Sequence, residues 1–392
     1  MGAIETIVII NPMEKFLRFR MLGAMLCLAT LLLGGCQTAG PNVIKIGVAA
    51  PLTGDQAQIG GDMANGVELA IMQANEKKIL PGFTFEIAKA DDQHNPAQAV
   101  SVAKKFVANA DVMAVVGHFN SSCTQPASAV YNEAGLVNIT PASTNPNLSR
   151  QGFKTFFRVA ATDDVQGPRG AQYAAKTLKI NSVFIIDDKT TYGKGLADEF
   201  EKEAVKQGIK VLGHQGITQG EKDFTALLTK VRPLKPELIY FGGIYSEGAL
   251  LLRQTRALGI KAQFMGGDGI ASTELVKLAS TELAEGVIAT MVGGDTKQIP
   301  GAEDFIEAYE AKYGTLGQWS AYGYDAANVV IVAIAQAAKH DRADVLRAMR
   351  EIPSFMGVTG EIVFDEKGDN QNQFIGIFKI LDGKLAYVGK AE

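Results

Sequence analysis

From Val43 onward the chain alternates short apolar runs with longer amphipathic segments, and this alternation restricts the fold more than any other feature. "VIKIGVAA" reads as a buried strand, and the loop "PLTGDQAQIGGD" follows it. In "MANGVELAIMQANEKK", Val67, Ala70, Ile71 and Ala74 recur at helical spacing. "FTFEIAKADD" is the next strand. The helix "NPAQAVSVAKKFVAN" comes after it, with Asn95 placed to cap and Pro96 in the first turn. "VMAVVG", "TQPASAVYNEAG" and "LVNITPA" continue as strand, helix and strand. Strands separated by helices pair in parallel through crossovers, and the helices cover both faces of the sheet.

The pattern then restarts. "AQYAAKTLK", "SVFIIDD", "GKGLADEFEKEAVKQG", "KVLGHQGI", "DFTALLTKVRPL", "ELIYFGG", "SEGALLLRQTRALG" and "QFMGGDG" predict a second doubly wound α/β unit. "DFIEAYEAKYG" and "AYGYDAANVVIVAIAQAAK" add helix, and "GEIVFDEKGDNQNQFIGIFKI" predicts a terminal hairpin. No Pro-rich or Ser-rich linker divides the halves, so they are expected to share strand connections. The 392 residues suffice for two cores. A net charge of −4 with mixed signs lacks the basic stripe of a nucleic-acid binder.

Residues 1–35 read as a targeting segment rather than fold. Lys15, Arg18 and Arg20 precede the apolar "MLGAMLCLATLLLGG", which has signal-peptide length and falls short of a membrane span. The preceding "MGAIETIVIINP" carries no positive charge, which suggests translation from Met13. Leu33, Gly34, Gly35 and Cys36 resemble a bacterial lipobox, and lipidation of Cys36 is favoured over ordinary cleavage nearby. Such a lipid anchors a chain without spanning the membrane. Cys123 is then the one cysteine of the folded body, so the cores and not disulfides carry stability.

In open parallel sheets, ligands bind beyond the carboxyl ends of the strands. Polar loops lie at those ends in both units: 117–128 ("GHFNSSCTQPAS"), 139–146 ("ITPASTNP"), 187–193 ("DDKTTYG"), 242–248 ("GGIYSEG") and 266–269 ("GGDG"). A cleft between two lobes follows. Ser121 and Thr144 offer neutral donors and acceptors, and the helix opened by "SCTQPAS" presents N–H groups suited to a carboxylate. Asp268 offers the anion for an ammonium. A zwitterionic α-amino acid meets both demands, and burying either charge unpaired costs several kcal/mol. Simpler readings exist for each group. Ser and Thr after strands act as turns and caps, Asp268 would cap "ASTELVKLAS", Tyr192 would pack in a turn, and Trp319 fits core or cleft lining equally. Asp91 and Asp92, beside Gln93 and His94, read as a strand-end turn. They have no further ligands at metal spacing, so neither metal nor cofactor is expected.

The ordered set "DDQHNPAQAVSVAKKFV", "VVGHFNSSCTQPAS", "ITPASTNP", "DDKTTYGKGLA", "GEKDFTALL", "YFGG…LLRQTRALG", "QFMGGDG" and "FDEKGD" resembles the branched-chain amino-acid-binding proteins. These are periplasmic leucine/isoleucine/valine-type receptors that feed ABC importers. The resemblance spans about Val43 to Ile380. It implies the type I periplasmic-binding fold, with two Rossmann-like lobes joined by three crossovers and closing by a hinge. Lobe 1 would take 43–161 and 292–370, and lobe 2 would take 162–291 and 371–392. The resemblance also implies ligand-binding roles. Ser121 falls at a carboxylate-binding serine, flanked by Phe119 and Asn120. Ala142, Ser143 and Thr144 fall where backbone and hydroxyl bind the ammonium and carboxylate. Tyr192 falls at a tyrosine that closes over the ligand, and Asp268 stands where the family usually has Glu.

Several positions depart from the family pattern. Ile59 replaces an aromatic residue of the first loop, Ile244 replaces a tyrosine, and Trp319 stands at a pocket position often held by phenylalanine. His94 and Asn120 stand where a cysteine pair is usual. The zwitterion clamp stays readable and the side-chain pocket stays open. Asp for Glu shortens the reach by one methylene, which moves the ligand toward lobe 2 or inserts a water.

The leading expectation is therefore a monomeric periplasmic receptor that binds an amino acid, branched-chain or otherwise aliphatic, and delivers it to an ABC permease. A receptor or sensor for amides, urea or another small polar solute is the alternative on the same fold. A hydrolase is the alternative of another class. No catalytic residue is expected, since "GHFNS" lacks a G-x-S-x-G elbow and His94, His118, His214 and His340 show no orienting partner in sequence.

Overall fold

The computed structural model describes residues 42–391, so the segment 1–35, the start at Met13 and the lipobox Cys36 lie outside the described residues. The chain begins β1 (Asn42–Ala50), α1 (Ala57–Glu76), β2 (Phe83–Asp91), α2 (Pro96–Ala108), β3 (Val112–Gly117), α3 (Ser121–Glu133), β4 (Val137–Thr140), β5 (Phe156–Arg158). These strands form one sheet in the order β2-β1-β3-β4-β5. β1, β3, β4 and β5 pair in parallel. The chain continues as α4 (Asp163–Lys176), β6 (Ser182–Asp187), α5 (Thr191–Lys206), β7 (Lys210–Gly216), α6 (Thr225–Val231), β8 (Leu238–Gly242), α7 (Tyr245–Ala257), β9 (Gln263–Gly266), α8 (Thr273–Ala279), α9 (Thr281–Ala284) and β10 (Ile288–Met291). Then come α10 (Glu303–Tyr313), α11 (Ser320–Gln336), α12 (Arg342–Glu351), β11 (Phe355–Gly357), β12 (Gly360–Ile362), β13 (Gly376–Leu381) and β14 (Lys384–Lys390).

The second sheet runs β14-β13-β10-β9-β8-β6-β7. Its pairs from β7 to β10 are parallel, and β13 adds to β10 antiparallel. The chain passes between the sheets three times: after β5, after β10, and between β12 and β13. The two doubly wound units are those that the alternation predicted, and the three crossings between them are those that the resemblance implied.

Local chemistry accounts for the elements. Ile46, Val48, Val116, Ile139, Ile185 and Ile239 are fully buried, because helices lie over both faces of their sheets. Asn95 caps α2, its side chain accepting from Ala97 N at 2.9 Å and Gln98 N at 3.1 Å, with Pro96 in the first turn. α11 lies along α1 on the first sheet. Their close approach needs glycine: a Cβ on Gly66 would sit 2.0 Å from Ser320 O, and one on Gly323 would sit 2.3 Å from Met63 O.

Two expectations are corrected. "PLTGDQAQIGGD" is not wholly loop, since α1 begins at Ala57 and places Ile59 in its first turn. "GEIVFDEKGDNQNQFIGIFKI" is not itself the terminal hairpin. Its first part, β12, pairs with β11 in a separate ribbon, and the hairpin is β13 with β14. β5, β10, α8 and α9 span three to seven residues, too few for periodicity to declare them.

Candidate functional site

Strands β3, β4, β6, β8 and β9 all end toward the space between the sheets, and their loops build a small cavity there. The first sheet's side supplies Ile59, Phe119, Asn120, Ser121, Ala142 and Trp319. The second sheet's side supplies Tyr192, Ile244 and Asp268. Nine of the eleven residues expected from sequence thus line one cavity, Ser121 and Asp268 among them. Tyr245, Gly269, Ser272 and Gln318 complete it. Sequence reading did not single these out as lining, although each stands within a few positions of a residue that it did. Including its open mouth, the space measures about 410 Å³.

Ser143 and Thr144 do not reach the cavity. Ser143 Oγ donates into the β3 loop, 2.9 Å from Phe119 O and 3.1 Å from His118 O. Thr140 Oγ1 also reaches His118 O at 2.7 Å. These bonds tie the loops after β3 and β4 together and leave Ala142 on the wall. Thr144 is wholly buried, its hydroxyl without a partner. Ser121, the first residue of α3, accepts from Asn145 N at 3.3 Å.

Opposite, Asp268 opens a short turn after β9. It does not cap α8, whose cap is Ser272, accepting from Glu274 N at 3.1 Å. The Tyr192 hydroxyl donates to Asp268 Oδ1 at 3.1 Å and accepts from Gly269 N at 2.9 Å. Burial raises the Asp268 carboxyl to about 6, against the opposing pull of the Gln166 amide and the Tyr192 hydroxyl. Burial, then the nearby Asp268 charge, holds the Tyr192 phenol well above its ordinary range. Asp163, at the start of α4, is fully buried with neither carboxylate oxygen bonded. Burial and then Asp268 push it well above the usual carboxylate range. Asp268 is thus the one acid among the lining residues and no cation stands with it, so an incoming ammonium would meet this carboxyl.

Trp319 packs edge-on against Phe119, ring centroids 5.3 Å apart, and is both core and lining. With Ile59 and Ile244 these rings make the remainder of the cavity apolar.

The chain matches the family model described as "Periplasmic binding protein" over residues 43–384. This chain belongs to the periplasmic binding protein family. It is 37% identical over 363 residues to the Leu/Ile/Val-binding protein homolog 1 of Brucella abortus, covering 92% of this chain and 96% of that one. Among solved structures, it resembles the leucine binding protein LivK of Thermotoga maritima with a TM-score of 0.83 and 30% identity, over 89% of this chain and 99% of that one. It also resembles the branched-chain amino acid transporter substrate binding protein LivJ of Streptococcus pneumoniae, solved with isoleucine. There the TM-score is 0.82 and the identity 27%, over 89% and 100% of the two chains. The family and fold are those of extracytoplasmic solute-binding receptors in ABC transport.

In this periplasmic binding protein the histidines serve the frame. His118 is fully buried, Nδ1 2.7 Å from the Asp92 carboxylate and Nε2 3.1 Å from the Tyr131 hydroxyl. His214 lies between Asp187 at 3.1 Å and Glu201 at 2.6 Å, and the Asp187 hydrogen bond leads the effects that raise its pKa. Both thus have the orienting carboxylates that sequence did not reveal. Among the described residues no histidine lines the cavity. No helix among them is long and apolar enough to cross a membrane.

Polar contacts cross between the two sheets' loops. Asn145 Nδ2 donates to Thr191 O at 2.6 Å, Thr191 Oγ1 to Gln125 Oε1 at 3.1 Å, and the Tyr245 hydroxyl to Asp55 O. Gln219 Nε2 meets His94 Nδ1 at 2.9 Å. These contacts join the loops of the two sheets around the cavity.

Proposed function

We propose that this protein is a high-affinity receptor for an aliphatic amino acid, branched-chain in the first instance, held in the cavity between two lobes. Lobe 1 comprises 43–161 and 292–370, and lobe 2 comprises 162–291 and 371–392. One observation carries the reading: Ser121, at the N-terminus of α3, and Asp268 line the same small space from opposite sides. The N-terminal N–H groups of α3 and the Ser121 hydroxyl take the carboxylate. Asp268, backed by Tyr192, takes the ammonium. Ile59, Phe119, Ile244 and Trp319 surround the aliphatic side chain.

Two relatives' names agree with this solute class: a Leu/Ile/Val-binding protein homolog at 37% identity and an isoleucine complex at 27%. The receptor works without catalysis, as a monomer, and hands its solute to an ABC permease in the inner membrane. It resides in the periplasm, anchored through a lipid on Cys36. Asn120, whose amide donates to Gln56 Oε1 at 2.9 Å, fixes the loop that presents Ser121. Ser143 and Thr144 support that wall from behind.

A thermal-shift panel of the twenty amino acids, small amides and urea tests the reading. Leucine, isoleucine or valine is expected to raise the melting temperature by mass action, about 2.7 kcal/mol at a hundredfold excess over Kd. A response to urea or amides alone would move the assignment to a small-polar-solute receptor. Hydrolysis of an ester or amide lost in Ser121→Ala would move it to an enzyme.

A further inference from the structure

The cavity between Ser121 and Asp268 does not end in solid core. Three of its wall residues, Ile59, Ser272 and Gln318, also line a second groove on their far side. Counted with their open sides, the two spaces measure about 410 and 1530 Å³. At these positions the partition is one residue thick.

The three residues are not equally fixed. Ile59 is buried in the first turn of α1. Ser272 has its hydroxyl committed to capping α8. Gln318 is a half-buried side chain on the loop ahead of α11, its amide against the Met291 sulfur. Met291 itself lines the second groove. The loop runs close against α1, since a Cβ on Gly317 would sit 2.2 Å from the Asp62 carboxylate. Of the three, Gln318 is therefore the side chain held neither by core burial nor by a helix cap.

Beyond it, the groove combines apolar surface from Leu316, Tyr322 and Phe378 with the charged Asp62, Lys277, Asp295, Lys297 and Lys384. Its apolar stretch gives a longer apolar tail a surface to lie on.

We infer that Gln318 determines solute specificity by length: its side chain stops the bound amino acid's side chain, and shortening it joins the two spaces. Longer side chains, methionine and phenylalanine among them, then extend into the second groove. The inference rests on the amino-acid reading of the cavity.

Calorimetry on the whole protein with leucine, methionine and phenylalanine tests it, using wild type, Gln318→Ala and Gln318→Met. Discrimination by one methylene in an apolar pocket runs from about tenfold to about two-hundredfold. The affinity ratio of phenylalanine to leucine is expected to rise at least about tenfold in Gln318→Ala. In Gln318→Met, which restores a side chain of similar length, it should stay within about threefold of wild type. A merely structural role would weaken all three solutes alike, and an unchanged ratio in Gln318→Ala with leucine still bound would overturn the inference. Wild type that binds no amino acid would overturn the underlying reading instead, and the wild-type arm separates the two failures.

Discussion

Asp268 combines two opposed tendencies. Its carboxylate is buried, which favours the protonated form, yet it stands where a cationic group can restore the charged form. Because burial, partly offset by the Gln166 and Tyr192 hydrogen bonds, lifts it to about 6, solute affinity is expected to be flat above pH 7. It then falls as pH drops through about 6, by up to about tenfold per unit, since the proton and the ammonium compete for one carboxylate. Asp268→Asn should lose this dependence. It should also weaken binding by about 3 kcal/mol or more, at least about a hundredfold, the scale of leaving one partner of a buried ion pair alone. Calorimetry from pH 5 to 8 measures both effects, and a variant that binds leucine as tightly as wild type would remove Asp268 from the site. The residue was legible in sequence because a charge on a Gly-flanked strand-end loop has few structural uses. Gln318 was not, since a lone amide in a loop carries no pattern.

At the scale of elements, the crossing points hold the cavity's frame. Arg158, fully buried at the end of β5, donates from Nε to Asp369 Oδ1 at 2.9 Å, and from Nη1 to both Ser143 O at 3.0 Å and Asn145 O at 2.7 Å. One guanidinium thus joins β5, the loop after β4 and the third crossing, where Asp369 pairs with Arg158 in an isolated bridge. Removing one partner of such a pair leaves a buried charge uncompensated, at a cost of about 3–5 kcal/mol. Asp369→Ala is expected to lower the melting temperature clearly, while Asp365→Ala, on the same turn, lowers it less. Equal melting curves for wild type and Asp369→Ala would show that this bridge adds nothing. Sequence declared the long strands and helices that flank these crossings. It did not declare β5 or β10, because three or four residues hold no period.

For the whole molecule, the bonds from Asn145 to Thr191, Thr191 to Gln125 and Gln219 to His94 are few and polar. Such contacts suit an interface that opens and shuts, since water replaces them on opening at little cost. Solute is expected to shift the population toward the closed form. Small-angle scattering should then give a smaller radius of gyration with leucine than without, and the difference should shrink in Asn145→Ala. A profile that is the same with and without a bound solute would exclude hinge closure.

The sequence by itself determined the architecture and the address of the site. Continuous apolar strands spaced by amphipathic helices can bury themselves only as parallel sheets covered on both faces. Their polar loops must then gather at the strands' carboxyl ends. Which loop residues face the cavity was decided only by tertiary structure. Ser143 and Thr144 share their loop with Ala142, yet only Ala142 lines the cavity, because the Ser143 hydroxyl is drawn to the carbonyls of the loop after β3. Side-chain direction in a loop has no period to read. It follows from hydrogen bonds to partners some twenty-five residues away, such as Ser143 to His118, and these exist only once the sheet has assembled.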